Sequence, residues 1–216
     1  MRMLLIAATL PLAACQSNWE KGETAPASGS GASRSYTATG FTSVDLRGSD
    51  DVDVKIGNAF SVSAEGDPKA LDELDIRVYD GALRVGRKQG SSGSDQGARV
   101  HVVLPKLTSA STSGSGDLDL SGIQGDALDL AIAGSGSIKA AGTIAKLDAS
   151  IAGSGDIDAT GLPASSADIS IAGSGNLTGV VKGAASVSLV GSGDVTLTGG
   201  AKCSVSSVGS GDANCS

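Results

Sequence analysis

The residues with the most chemical potential form a spaced series of short polar side chains: Asp117, Ser137, Asp156, Asn176, Asp194 and Asp212. If the segments carrying them stack in register, their side chains line up about 4.8 Å apart in one outward ladder. Stacked carboxylates repel unless something neutralises them, and Ca2+ prefers such oxygen ligands. The ladder Asp117, Asp156, Asn176, Asp194, Asp212 is thus a candidate cation site. The competing reading is that each short side chain hydrogen-bonds a backbone group at its turn. It is favoured because Ser137 interrupts the ladder and the spacing is about 20 residues. Pairs such as Asp156 with Asp158 could serve as acid and base, yet Asp117 with Asp119 repeats the pattern, and repetition points to structure. His101 is the only histidine, which excludes a His-pair mechanism or a His-rich metal site. No serine sits in a Gly-x-Ser-x-Gly elbow, and no Gly-Lys-Ser/Thr follows any Gly-Ser-Gly, so neither a hydrolase nucleophile nor a phosphate loop is indicated. No catalytic residue and no cofactor are assigned.

The elements that must position these residues are repeats. Gly-Ser-Gly begins at Gly114, Gly134, Gly153, Gly173, Gly191 and Gly209, at intervals of 20, 19, 20, 18 and 18 residues. A near-constant period of this size marks units that stack and share a core. Six, four and two positions before the corner stand Leu128, Leu130 and Ile132, then Leu147, Ala149 and Ile151, then Ala167, Ile169 and Ile171, then Ala185, Val187 and Leu189. Polar residues alternate with them, so each run is a half-buried strand. A second strand follows each corner, with Leu118 and Leu120, Ile138 and Ala140, or Val195 and Leu197 inward. Repeated travel in one direction requires equivalent strands to pair in parallel. The expected fold is all-β, a parallel β-helix of coils of about 18–20 residues behind an irregular N-terminal β region. An antiparallel hairpin array is the rival. With 32 glycines and 2% aromatics, the composition fits a narrow interior of small aliphatic side chains.

The first half is less regular. Val44 and Leu46, then Val52, Val54 and Ile56, flank Gly48-Ser49-Asp50, a degenerate corner. Asp67-Pro68 opens a short helix with Asp67 as N-cap. Asp80-Gly81 turns a two-residue hairpin between Ile76–Val78 and Leu83–Val85.

In the alignment of coils, Cys203 takes the inward slot of Leu128 and Leu147, and Cys215 that of Leu120 and Leu197. Both point into the last coil, within reach of a disulfide that would staple its open end. Free buried thiols are the alternative.

At the N-terminus, Arg2 precedes the apolar stretch Met3–Leu12, too short to span a bilayer, and Leu12-Ala13-Ala14-Cys15 ends it. This resembles a bacterial lipoprotein signal. The resemblance implies removal of residues 1–14, lipidation of Cys15 and membrane attachment through that anchor; Gln16, in place of Asp, favours the outer membrane. Residues 15–35 read as a flexible Gly/Ser-rich tether, and 36–216 as the folded domain. The net charge of −7 argues against nucleic acid as a partner.

The order of Phe41, Val44-Asp45-Leu46, Asp51-Val52-Asp53-Val54, Val78-Tyr79-Asp80-Gly81-Ala82-Leu83 and Val100-His101-Val102-Val103-Leu104-Pro105, followed by the Gly-Ser-Gly-Asp units at Gly114 and Gly153, resembles the GIN domain, a presumed adhesin head domain of exported bacterial proteins. The resemblance covers roughly Phe41 to Ala213. It implies a right-handed parallel β-helix at the cell surface or in the periplasm, with no catalytic residues to carry over. The expected role is a non-catalytic binding, adhesion or structural module of the envelope, whose partner is an envelope protein, a glycan or another copy. The alternative is a polysaccharide lyase or hydrolase. Such enzymes line a groove with aromatic platforms, whereas Trp19, Tyr36, Tyr79, Phe41 and Phe60 all lie outside the regular coils.

Overall fold

The computed structural model describes residues 21–91 and 97–216. Residues 1–14, Cys15, Gln16 and Trp19 lie outside the described residues. The chain is a β-solenoid with irregular N-terminal strands and a single short helix among the described residues, Pro68–Glu73.

The regular coils follow from the period-two pattern. Three long strands, β11 (Leu118–Gly134), β12 (Ser137–Gly153) and β13 (Asp156–Gly173), each run from the second strand of one coil into the first strand of the next. Two-fold alternation sends Leu128, Leu130 and Ile132 inward, all buried, and the intervening polar residues outward. The coils pair in parallel without offset: Leu130 stands over Ala149, Ala149 over Ile169, and Ile169 over Val187. β14 (Leu177–Val181), β15 (Ala184–Gly191), β16 (Val195–Thr198), β17 (Lys202–Gly209) and β18 (Ala213–Cys215) complete the stack.

Each corner is a backbone column. The Gly134 carbonyl accepts from Ser154 N at 2.9 Å and Gly155 N at 3.1 Å, and Gly191 receives Ser210 and Gly211 in the same way. Gly134 has φ +138°, and a Cβ there would strike the Gly114 carbonyl oxygen. Glycine is therefore obligatory at this slot. Two corners carry an inward hydroxyl where the others carry an aliphatic: Thr112 donates to the Gly116 carbonyl at 3.0 Å, and Ser207 to the Gly211 carbonyl at 3.2 Å. The links between coils also feed the core, because Ile123, Ile144, Leu162 and Val181 are buried.

The N-terminal half holds a rearrangement of chain order. β4 (Ser43–Gly48) and β5 (Asp51–Ile56) form a coil around the degenerate corner and stack in parallel on β10 (Ser109–Gly114) and on the start of β11. On their other side lie β8 (Ala82–Arg87) and β9 (Ala98–Leu104), later in sequence yet farther out in the stack. Antiparallel strands then close the end. β7 (Leu74–Tyr79) pairs with β8, and β6 (Ser61–Gly66) with β9. β1 (Glu23–Thr24), β2 (Ala27–Ser28) and β3 (Ser33–Tyr36) add outermost pairings. Part of the segment 15–35, read from sequence as tether, is therefore strand. Pairing on a sheet edge needs only backbone groups, and Ala25 and Tyr36 supply the buried side chains that the sequence pattern did not reveal. The short helix starts as expected, with the Asp67 carboxylate accepting Lys69 N at 2.9 Å. The Asp80-Gly81 turn has φ of 50° and 74°, as a two-residue hairpin requires.

Candidate functional site

The outward side of the second-strand sheet is built from β9, β5, the starts of β11, β12 and β13, then β14, β16 and β18. Because equivalent residues stack in register, this sheet presents two polar columns. One contains Arg99, Asp51, Asp117, Ser137, Asp156, Asn176, Asp194 and Asp212, and the other contains His101, Asp53, Asp119, Lys139 and Asp158.

The first column is largely consumed by backbone. The Asp117 carboxylate accepts Ser137 N and its hydroxyl, both at 2.8 Å. Asp156 accepts Asn176 N at 2.9 Å and its amide at 3.0 Å. Asn176 Oδ1 accepts Asp194 N at 3.0 Å, and the Asp194 carboxylate accepts Asp212 N at 2.9 Å. Each side chain thus holds the N–H that opens the second strand of the next coil, and Asn does this as well as Asp. Among the described residues, no three His, Cys, Asp or Glu side chains converge as a metal-ligand set.

The paired carboxylates are likewise committed. Asp158 accepts Thr160 Oγ1 at 2.6 Å and Thr160 N at 3.0 Å. These bonds, helped by the Lys139 charge, hold its carboxyl below the usual range. A general acid needs the opposite shift. On the first-strand sheet, Lys146 spans Asp148 and Asp168, each at 2.8 Å, and these hydrogen bonds raise its pKa.

The charged groups concentrate where the out-of-order coil meets the regular ones. Arg99 pairs with Asp51 and Asp53, each at 3.0 Å, and the Asp53 hydrogen bond is the main cause of its raised pKa. His101 bridges Asp53 at 3.1 Å and Glu65 at 3.2 Å. A shallow depression lined by Asp51, Asp53, Arg99, Asp117, Asp119 and Lys139 lies beside them. Sequence reading did not join Asp51 and Asp53 to Asp117 and Asp119. The signal was present: Gly48-Ser49-Asp50-Asp51-Val52-Asp53 matches Gly114-Ser115-Gly116-Asp117-Leu118-Asp119 with one glycine replaced.

That replacement, Asp50, is wholly buried. It accepts Arg87 through two nitrogens, Nε at 2.8 Å, and Ala98 N at 2.8 Å, while Arg87 also reaches Glu73 at 3.2 Å. The Asp50 hydrogen bond is the main cause of the raised Arg87 pKa.

Among the described residues, the aromatics offer no sugar platform. Phe41 is buried against Phe60 with ring centroids 4.9 Å apart, Tyr36 is buried, and Arg84 covers the Tyr79 ring at 4.3 Å. At the far end, a disulfide joins Cys203 to Cys215 with Cα atoms 6.4 Å apart.

Among curated proteins, none matches the chain. Among solved structures, a putative adhesin from Bacteroides fragilis NCTC 9343 is similar over 85% of this chain and 96% of its own, at 18% identity and TM-score 0.69. A putative lipid binding protein from Parabacteroides distasonis ATCC 8503 covers the same shares at 23% identity and TM-score 0.55. A putative adhesin from Parabacteroides merdae ATCC 43184 aligns over 85% of this chain and 95% of its own, at 19% identity and TM-score 0.51. At these identities the likeness concerns the fold. The family described as "Putative auto-transporter adhesin, head GIN domain" matches residues 40–201, well over half of the chain, and the protein belongs to that family.

Proposed function

We propose that the protein is an exported module, held at the cell envelope, at the outer membrane, by a lipid on Cys15, that binds an envelope protein or glycan without catalysis. The observation that carries the non-catalytic reading is the commitment of the outward carboxylates. Asp117, Asp156 and Asp194 accept neighbouring backbone N–H groups, and Asp158 is held ionised by Thr160. The same arrangement repeated coil after coil serves stacking, whereas an active site would break the repeat. The family description and the names of the similar structures, adhesins and a lipid binding protein, support a binding role. The charged depression between Asp53, Arg99 and Asp119 is the surface assigned to the partner. A sheet with polar columns fixed in register suits an extended ligand better than a small one.

Two arms test this. Metabolic labelling with a fatty-acid analogue should tag the wild type and leave Cys15→Ser unlabelled; an unlabelled wild type contradicts the anchor. Binding to native envelope fragments should fall in Asp119→Lys, with no turnover of a polysaccharide panel by either protein. Turnover lost in Asp156→Asn contradicts the non-catalytic reading.

A further inference from the structure

We propose that the C-terminal end of the solenoid is a self-complementary surface that pairs tip to tip with a second copy of this chain.

The two ends of the stack differ. Among the described residues, the N-terminal end is closed by antiparallel strands and finishes in β1 and β2, two residues each, which are poor templates for further pairing. The C-terminal end finishes in β17, eight residues long, whose stretch Cys203–Gly209 holds no charge and no proline. The large apolar side chains exposed among the described residues are Val190, Val205 and Val208, all in the last two coils. Val205 is 47% exposed although it stands over buried Val187, because nothing covers it.

The same edge leaves repeat partners unused. At every earlier corner the first glycine's carbonyl accepts at least one N–H from the next coil, two at Gly114, Gly134 and Gly191, and Asp194 accepts the following ladder N–H. Gly209 and Asp212 occupy those positions in the last coil. A head-to-tail partner finds no matching edge, since the described strands at the opposite end finish in two-residue pieces, β1 running with the coils and β2 against them.

A dyad can. Lys202 and Ser210 donate backward to Gly183 and Gly191, so alternation turns the N–H and C=O groups of Cys203, Val205 and Ser207 to the free edge. Cys203, Val205 and Ser207 also carry the inward side chains, by their register on Ala185, Val187 and Leu189. An antiparallel pair centred on Val205 meets both requirements at once: Val205 faces Val205 of the partner subunit, and Cys203 faces Ser207 of the partner subunit. It forms about six backbone hydrogen bonds and continues the core across the dyad. Two ends of roughly 25 by 20 Å bury on the order of 1,000 Å2 in total, the lower bound of a specific interface. Between Gly199 and Ser216 the only charged residues are Lys202 and Asp212, so the ends do not repel. Because residue 21 enters at the capped end, the paired rod carries its tethers at opposite extremities. If the proposed lipid anchor holds, this geometry links copies on facing surfaces.

Outward Val208 falls opposite Lys202 of the partner subunit in this register, which gives a charge test on a side chain 68% exposed. Sedimentation of the full chain carrying Cys15→Ser, so that no lipid drives association, should show a monomer–dimer equilibrium. Solution scattering should give a maximum dimension doubled from roughly 45 Å to roughly 90 Å. Val208→Lys should weaken the dimer at least about ten-fold, and Val208→Glu should not. A monomer at every concentration overturns the proposal, whether or not another protein's strand covers this end in the cell. So does a dimer of undoubled length, or an equal effect of both Val208 substitutions.

Discussion

The regular coils and the N-terminal cap solve the same problem, closing a stack of strands, by different means. In the coils the ladder residues meet partners one repeat away: Ser137 with Asp117, Asn176 with Asp156, Asp212 with Asp194, at separations of 20, 20 and 18 residues. In the cap several partners are distant and individual. Asp50 meets Arg87 and Ala98 across 37 and 48 residues, Arg99 meets Asp51 across 48, and Ser111 meets Asp45 across 66. The aromatic pair, the helix and the buried ion pair all lie in the cap. Translational repetition lets one contact serve coil after coil inside the stack, and the end of repetition calls for contacts that occur once.

Four perturbations break or sharpen that contrast. The largest effect belongs to the coil interior. Ile169→Asp, placing an unpaired charge among Ala149, Val187 and their neighbours, should destabilise by about 4–5 kcal/mol in denaturant unfolding. In the cap, Arg87→Leu leaves Asp50 buried with only the Ala98 N–H and should cost about 3–5 kcal/mol. Adding Asp50→Gly, which restores a coil-like corner, should recover a large part of that loss. If the double variant is no better than the single, Asp50 is not the cap's substitute for repetition. Next is the open end, where opening the Cys203–Cys215 loop of 12 residues should cost about 3 kcal/mol by chain entropy. Mass spectrometry of the non-reduced protein should find no free thiol at either position. The smallest effect belongs to the solvent side of a coil: Asp168→Ser removes one exposed contact to Lys146 and should change stability by less than about 1 kcal/mol. Equal losses in Ile169→Asp and Asp168→Ser would mean the alternation is misregistered.

The sequence made the coils legible because the repeat encodes its own register. Once Gly134, Gly153 and Gly173 are aligned, Leu130, Ala149 and Ile169 must share a face. The Asp67 cap and the Asp80-Gly81 turn were legible for a similar reason, since both depend on neighbours in the chain. The placement of β8 and β9 outside β4 and β5 was not, because strand pairing is a long-range choice that no local residue type declares. The strands within 23–36 were hidden for the same reason, their polar composition matching that of a tether. At the candidate site, the ladder Asp117, Ser137, Asp156, Asn176, Asp194, Asp212 was visible as an alignment, but its purpose needed the hydrogen bonds. Once Asp117, Asp156, Asn176 and Asp194 are each known to hold an N–H, Asn176 is no longer an exception to an acidic series.

The claim that this ladder builds the fold rather than a cation or catalytic site is tested most directly by thermal unfolding of wild type, Asp194→Asn and Asp194→Ala, each with and without Ca2+. Asn keeps an acceptor for Asp212 N, so Asp194→Asn should match the wild type, while Asp194→Ala should lose about 1 kcal/mol. Calcium should shift none of the three. A calcium-dependent rise in Tm that disappears in Asp194→Asn would contradict the structural role of the column.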